Sequence, residues 1–201
     1  LAANSPDYTK ALDWLGSLYN MTGDLKAADS IYTLARDYCA TEPCTPKREA
    51  RLLGNHGIIL YAMGQHEPAL KLSQEALLVA MPAGAYDDAA FALINMGTIY
   101  RDLEQFERAI EHLEYARQIL IQQKDTTKIA YVTSMIGEQF TFLQEYDTAK
   151  VVYEQAMALY ATVRAPYRKA QAYQQYADLM LNVGKFKLAE NYYLKTDSML
   201  K

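Results

Sequence analysis

The stretch GTIYRDLEQFERA, residues 97–109, recurs in altered form at four other places in the chain. Every copy ends on an alanine and begins twelve positions earlier on a small residue. A fixed period of about 20–50 residues is typical of repeat architectures. The alanines are Ala28, Ala69, Ala109, Ala149 and Ala189, so the steps are 41, 40, 40 and 40 residues. The small residues that begin the copies are Gly16, Gly57, Gly97, Gly137 and Ala177.

We therefore predict five repeats that form one elongated domain over residues 1–201. Within each repeat, apolar residues recur at mixed three- and four-residue spacing on both sides of a short turn, which indicates two amphipathic helices. A turn as short as residues 104–105 makes the two helices antiparallel neighbours. The predicted repeats are about 5–44, 45–84, 85–124, 125–164 and 165–201. The predicted helices are 6–21, 24–39, 46–63, 66–81, 86–103, 106–123, 126–143, 146–162, 166–182 and 186–200.

The small residues indicate where the paired helices approach each other closely. Glycine inside a helix costs about 0.5–1 kcal/mol relative to alanine. A glycine in four of five repeats therefore indicates a steric need, because helices approach closely only where side chains are tiny. Thr45-Pro46 and Ser5-Pro6 fit an N-cap followed by proline at the first helical position. A plain helical bundle, the alternative fold, would not require the same small residue in every repeat.

Composition argues against several classes of protein. The chain has 20 basic and 24 acidic residues and a net charge of −4. This gives no strong positive field for nucleic acid and no polybasic face for an anionic membrane. No apolar run is long enough to cross a bilayer, so we expect no membrane insertion by this segment. The chain begins with Leu1 rather than Met, so we expect a processed protein or a fragment that has lost its targeting information.

The two cysteines leave two interpretations open. Cys39 and Cys44 lie five residues apart around Glu42-Pro43. They are two unrelated thiols, or they form a local disulfide in the loop between the first two repeats, which requires an oxidising compartment.

No pattern of residues predicts catalysis or a bound metal. The histidines His56, His66 and His112 lie in different helices, and no spacing typical of zinc ligands occurs. We predict no metal and no cofactor, and we expect His56 to be a packed core histidine, since other repeats have an apolar residue there. The chain also has no glycine-rich phosphate loop and no nucleophile elbow. We therefore predict that this chain is not an enzyme.

The repeat pattern resembles the tetratricopeptide repeat (TPR) family. The family motif has Leu-Gly in the first helix, an aromatic three residues later, and Ala, an aromatic and Ala in the second helix. The first repeat matches with Leu15-Gly16, Tyr19, Ala28, Tyr32 and Ala35, and the fourth with Ile136-Gly137, Phe140, Ala149, Tyr153 and Ala156. The resemblance implies an all-α, right-handed solenoid of about ten helices. The period of about 40 exceeds the usual 34, as in the extended repeats of kinesin light chains and polarity adaptors.

A second, shorter resemblance concerns the C-terminal stretch 192–200. It is similar to the segment that closes the TPR array of bacterial membrane-anchored regulators, in which an extracytoplasmic sensor precedes a membrane helix and an output domain. This resemblance implies a periplasmic or other extracytoplasmic location for a sensor fragment. The alternative is a cytoplasmic protein.

The TPR resemblance implies that the first helix of each repeat lines a concave groove that binds a protein or peptide. Asn55 and Asn95 occupy equivalent positions, and a row of amides can hold a peptide backbone. The same amides could instead bond neighbouring helices, and the aromatic residues could be anchors or packing. The predicted groove residues are Lys10, Trp14, Arg51, Asn55, Tyr61, Phe91, Asn95, Arg101, Tyr131, Glu138, Gln174 and Asp178.

The groove does not resemble the carboxylate clamp of chaperone-binding TPRs. The basic residues of that clamp are mostly missing, since Asp13, Ser17 and Phe91 stand at clamp positions. The predicted groove instead has basic residues early and acidic residues late. We predict a non-catalytic protein- or peptide-binding module that is part of a larger signalling or regulatory protein. The alternatives are a stand-alone cytoplasmic adaptor or scaffold, and a peptide-regulated phosphatase or anti-activator.

Overall fold

The computed structural model describes residues 6–42 and 44–200, and these residues form ten α-helices and no β-strand. The predicted all-α class is therefore confirmed. No predicted helix end lies more than two residues from the observed one. The helices are α1 Pro6–Thr22, α2 Leu25–Thr41, α3 Pro46–Ala62, α4 His66–Ala80, α5 Tyr86–Asp102, α6 Phe106–Gln123, α7 Thr126–Phe142, α8 Tyr146–Ala161, α9 Pro166–Asn182 and α10 Phe186–Leu200.

The turn inside each repeat has one residue in the left-handed region of backbone space. Three of these residues are glycines, but Glu104 and Gln144 adopt the same conformation with φ of 57° and 61°. The turn accounts for this, because its last two amide groups donate back to carbonyls of the first helix. In the third repeat, Glu104 N donates to Arg101 O at 2.9 Å and Gln105 N donates to Tyr100 O at 2.8 Å. These bonds satisfy helix-end carbonyls and stop the first helix at the same point in each repeat.

Helix starts also follow local chemistry. The Thr45 side chain accepts from Arg48 N at 3.3 Å, and Pro46 begins α3, as the Thr-Pro pair predicts. The side chains of Asp24 and Asp125 cap α2 and α7 in the same way, each at 3.0 Å. Pro6 begins α1, whereas the predicted cap Ser5 lies outside the described residues.

The chain divides into two compact units, Leu1–Ile99 and Tyr100–Lys201. In unit 1, α1 packs on α2, α2 on α3 and α3 on α4, and the first helices α1 and α3 also contact each other. In unit 2, α6 through α10 pack successively in the same manner, and the first helices α7 and α9 contact each other. Each unit thus places first helices side by side, as stacked repeats require. The single domain predicted over the whole chain stays a prediction.

The helical glycines lie where neighbouring side chains leave no room for a Cβ atom. A Cβ on Gly16 would lie 2.6 Å from Cε2 of Tyr32, and one on Gly137 would lie 3.1 Å from Cδ1 of Tyr153. A Cβ on Gly57 would lie 3.3 Å from the backbone oxygen of Ala69. Close approach is therefore confirmed at these positions, but the closest group at Gly16 and Gly137 is a tyrosine ring rather than the repeat alanine.

Cys39 and Cys44 form a disulfide that links the last turn of α2 to the residues just before α3. Their Cα atoms are 5.2 Å apart, a separation that suits a disulfide. Of the two interpretations that the sequence leaves open, the interpretation as unrelated thiols is therefore wrong in this structure. Because the link closes a very short loop, it fixes the path of the α2–α3 connection more than it restricts the unfolded chain.

Candidate binding face on the first helices

The first helices of unit 1 are joined by polar side chains centred on Asp13. Asn55 Nδ2 donates to Asp13 Oδ1 at 2.8 Å, and Arg48 Nη1 lies 3.6 Å from Asp13 Oδ2. The hydroxyl of Tyr32 lies 3.4 Å from Asp13 Oδ1 and 3.2 Å from the backbone oxygen of Asp13. Asp13 is only 6% exposed, so these donors compensate a carboxylate that would otherwise be costly to bury. The result is a fixed polar junction between the first and second repeats.

A similar junction joins α3 to α5. Asn95 Nδ2 donates to the backbone oxygen of Gly54 at 3.2 Å, and Arg51 Nε donates to Asp88 Oδ1 at 3.1 Å. Asp88 is buried, and its second carboxylate oxygen has no hydrogen-bond partner among the described residues. Arg51 remains the more exposed partner of the pair. Arg51 therefore lies at the surface with its guanidinium oriented by a fixed carboxylate.

The two asparagines thus have the contacts that the helix-to-helix interpretation requires. An amide has two N–H groups and one oxygen, so a single donated bond leaves further capacity on each side chain. Both asparagines are half-buried rather than enclosed. Holding a peptide backbone therefore remains a proposal for Asn55 and Asn95, and the geometry shows a structural role in addition.

Substitution of the two asparagines separates these roles. We expect Asn55→Ala to lower the free energy of unfolding by about 1–2 kcal/mol, because it removes a donor from a buried carboxylate. Asn95→Ala removes a bond to a helix carbonyl, so we expect at most about 1 kcal/mol. Urea denaturation of both variants, followed by circular dichroism, measures the difference. Equal losses would show that Asn55 does not support the charge of Asp13.

The predicted aromatic residues of unit 1 differ in their availability. Trp14 is 70% exposed, with Lys10 Nζ 5.6 Å from the centre of its ring. Phe91 lies over Gly54, 3.1 Å from the place a Cβ would take, so it packs between repeats. Tyr61 is half-buried, with its ring 5.8 Å from that of His66. Trp14 is therefore the aromatic side chain of this face most open to a partner.

On the first helices of unit 2, Arg101 and Glu138 contact each other, and Tyr131 contacts a residue outside the predicted set. Glu138 accepts from Arg101 Nη1 and from Gln175 Nε2, each at 3.4 Å. The Arg168 guanidinium lies 3.9 Å from the ring centre of Tyr131, so this aromatic residue already has a cation on its face. Gln174 and Asp178 are exposed and line a cavity of about 430 Å³ next to Glu138.

Sequence reasoning missed the partners Arg48, Asp88 and Arg168, although a signal exists. The contacts Arg51–Asp88, Arg101–Glu138 and Glu138–Gln175 each join residues 37 apart. This separation is the repeat period less about one helical turn. Pairs of opposite charge at this separation would have predicted the two ion pairs.

His56 is a core histidine, as predicted. It is 3% exposed, and its Nε2 lies 2.7 Å from Asp29 Oδ1, while its Nδ1 is buried without a hydrogen-bond partner. Burial lowers the pKa of His56 below its ordinary value of 6.5, although the hydrogen bond with Asp29 opposes this change. The neutral ring stacks on Tyr32, with the ring centres 5.9 Å apart.

The lowered pKa of His56 makes stability depend on pH. Because the unfolded chain binds the proton more tightly, the free energy of unfolding should be constant above the unfolded pKa and fall as pH decreases from about 6.5 towards the folded pKa. His56→Met, which places the residue of the third repeat here, should remove this dependence. Urea denaturation at pH values between about 5 and 8 tests this. If the free energy of unfolding falls with pH equally steeply in the wild-type and His56→Met proteins, the pH dependence belongs to another group.

The described residues contain no cluster of three or more histidine, cysteine, aspartate or glutamate side chains placed to hold a metal ion. They also contain no helix that is both long and apolar enough to cross a membrane.

Comparison with known proteins agrees with the helix pairs. Residues 48–122 match the tetratricopeptide repeat family. The kinesin light chain-related protein 3 of Arabidopsis thaliana is 26% identical over 192 residues, which is 89% of this chain and 28% of that protein. The crystal structure of BtubC (BKLC) from P. vanneervenii superposes with a TM-score of 0.84, over 96% of this chain and 80% of that chain, at 19% identity. The chain has the tetratricopeptide repeat fold, and residues 48–122 carry the match to that family.

A structure that contains a bound peptide also superposes on this chain. The Rap conjugation gene regulator of plasmid pLS20, in complex with a Phr peptide, superposes with a TM-score of 0.77 at 14% identity. This match covers 94% of the present chain and 52% of that structure. At such identities the structural likeness shows the TPR fold alone. The chain spans about 28% of the length of its plant relatives.

Proposed function

We propose that this TPR chain binds an extended peptide segment of a partner protein through the exposed side of its first helices. The observation that carries the proposal is Trp14, which is 70% exposed on a face where Asn55, Arg51 and Asn95 are held by contacts between repeats. Exposed aromatic side chains on a rigid surface are typical binding hot spots. The proposal includes no catalytic step.

The fixed contacts support peptide binding because they reduce its entropic cost. The Asp13–Asn55 and Arg51–Asp88 pairs hold their side chains in place before a partner arrives. A preorganised surface loses less conformational freedom on association than a mobile one. The complex of the Rap regulator with a Phr peptide supports the same class of ligand for a related fold.

Charge supports different peptide preferences for the two units. In unit 1, Lys10 and Arg51 are exposed, whereas in unit 2, Glu138 and Asp178 border the cavity on the first helices. Complementary charge steers association and suppresses wrong partners. We therefore expect acidic segments to bind unit 1 and basic segments to bind unit 2.

Selection from a displayed peptide library tests the proposal directly. We expect Trp14→Ala to weaken the binding of the peptides selected on unit 1 about tenfold or more. Truncation of an aromatic hot spot typically costs at least about 2 kcal/mol of binding free energy. Its free energy of unfolding should change by less than about 0.5 kcal/mol, since the ring is exposed. Isothermal titration calorimetry measures affinity, and denaturation measures stability.

Leu34→Ala is the matched control, because Leu34 is an exposed apolar residue on the second helix α2. It should leave peptide affinity unchanged. The proposal fails if no peptide is enriched, or if the enriched peptides bind the Trp14→Ala and wild-type proteins equally.

For the larger protein, we infer the sensor portion of an extracytoplasmic signalling protein rather than a cytoplasmic adaptor. The observation that favours this is the Cys39–Cys44 disulfide, since disulfides persist mainly in oxidising compartments. A thiol-reactive reagent applied to protein isolated from its native source, with free thiols blocked at lysis, tests the inference. Two reactive thiols would instead favour the cytoplasmic adaptor.

A further inference from the structure

A cavity of about 530 Å³ lies in unit 1 between α2, α3 and α4, and its lining includes the second helices α2 and α4. Leu52, Leu53 and Val79 form an apolar floor, and Cys39 and Ala40 line the α2 side. The volume lies within the range of small-molecule sites, which are about 300–1,000 Å³. None of its lining residues belongs to the predicted groove.

Comparison with the third repeat shows how the cavity differs from one other junction. The register aligns Cys39 with Leu120 and Ala40 with Ile121, which are larger, whereas the second repeat has Ala80 at the Cys39 position and the fourth has Ala161 at the Ala40 position. It also aligns Glu49 with Ile129 in α7. Leu120 is fully buried in its own repeat. Relative to the third repeat, the first junction therefore has less side-chain volume on its α2 side, and the disulfide ties that side to the residues just before α3.

The rim of the cavity has an excess of negative charge. Arg36 pairs with Glu75 at 3.8 Å, which leaves the carboxylates of Asp37 and Glu49. Both side chains are exposed, and neither has a partner among the described residues. Three carboxylates against one guanidinium make the rim complementary to a cation, while the apolar floor excludes a ligand that is polar throughout.

We propose that this cavity, which we call the α2–α4 cavity, binds a small amphipathic cation. Such a ligand places an apolar body on Leu52, Leu53 and Val79 and an ammonium or guanidinium group between Asp37 and Glu49. The site is independent of the peptide-binding face, so it goes beyond the function proposed above. It would give the chain a second ligand on the opposite helices of the same repeats.

Three probes with one apolar body test the chemistry: phenylbutylamine, phenylbutanol and phenylbutyrate. Titration of the intact chain is followed by methyl NMR signals of Leu52, Leu53, Leu78 and Val79. We expect the amine to shift these signals saturably and to bind about fivefold or more tightly than the alcohol, with the carboxylate weakest. Equal affinity for all three probes, or no shift at these methyl groups, would overturn the proposal.

Separate variants then remove the negative charge of the rim and reduce the volume of the cavity. Asp37→Gln with Glu49→Gln should reduce amine affinity about fivefold and leave the alcohol unchanged. Ala40→Ile, which installs the residue of the third repeat, should weaken binding of both probes, because the larger side chain takes up part of the cavity volume. Glu111→Gln, an exposed carboxylate on α6, is the matched control for charge. Unchanged amine affinity in the Asp37→Gln/Glu49→Gln protein would refute the proposal, even if Ala40→Ile failed to fold.

The groove variant Trp14→Ala distinguishes this site from the proposed function. Its amine affinity should equal that of the wild-type protein, because Trp14 does not line the cavity. If peptides bind but the amine does not, the cavity proposal alone fails. If the amine binds but no peptide does, the peptide-binding proposal alone fails.

Discussion

Replacement of Tyr153 by alanine is expected to lower the free energy of unfolding by about 3–5 kcal/mol. Tyr153 is 2% exposed, and its ring lies against Gly137 on one side and meets Tyr176 edge-on at 6.3 Å. Because Gly137 has no side chain, it offers no atoms that could replace the lost ring. Alanine therefore loses the buried apolar area and leaves a cavity between α7, α8 and α9.

Tyr193 provides the matched control, since it occupies the same position one repeat later. It is only half-buried, and its hydroxyl donates to Asp178 near the surface. Tyr193→Ala should therefore cost clearly less than Tyr153→Ala, although the two substitutions are chemically identical. Urea denaturation followed by circular dichroism measures both losses, and equal values would contradict a special role for packing against Gly137.

The repeat pattern predicts the helices well because their ends depend on local chemistry. Caps such as Thr45 and Asp125, and the hydrogen bonds of the turns, act over four or five residues. At Glu104 and Gln144 no glycine marks the left-handed residue. Even there, the period alone places the turn, because the same backbone bonds recur in every repeat.

The contacts of the candidate site depend on geometry that the pattern of single repeats does not contain. Whether Asn55 faces a peptide or reaches Asp13 depends on the rotation and offset of α3 against α1. The sequence can therefore identify the face of each first helix, but it leaves open which residues on that face already have a partner. The sequence also leaves the disulfide open, because its formation depends on the path of the loop between α2 and α3.

The residue four positions after each repeat alanine explains why one of the helical glycines is more restricted than the others. This position is Tyr32 in the first repeat, Ser73 in the second and Tyr153 in the fourth. A Cβ on Gly57 would meet the small hydroxyl of Ser73 at 3.2 Å, whereas one on Gly16 would lie 2.6 Å from the Tyr32 ring. Equivalent glycines therefore experience unequal steric restriction, and Gly16 is the most restricted of the three compared.

Gly16→Ala is accordingly expected to lower the free energy of unfolding by about 1–3 kcal/mol, the usual cost of overpacking a core. The Tyr32 ring cannot move easily, because it is buried and its hydroxyl bonds to Ser17 at 3.0 Å and to Asp13. Alanine's better helix propensity recovers only about 0.5–1 kcal/mol. Gly137→Ala should lower the free energy of unfolding by less, because the new Cβ would lie 3.1 Å from Cδ1 of Tyr153.

A double-mutant cycle with Tyr32→Leu assigns this cost to the ring. Leucine is the residue that the third repeat has at this position, Leu113, and it lacks the atoms that a Cβ on Gly16 would meet. Gly16→Ala should therefore be close to neutral in the Tyr32→Leu background, which gives a coupling energy of about 1–2 kcal/mol from urea denaturation of the four proteins. If the two losses simply add, the glycine is required by the helix backbone rather than by the tyrosine, and close packing against Tyr32 does not explain its place in the repeat.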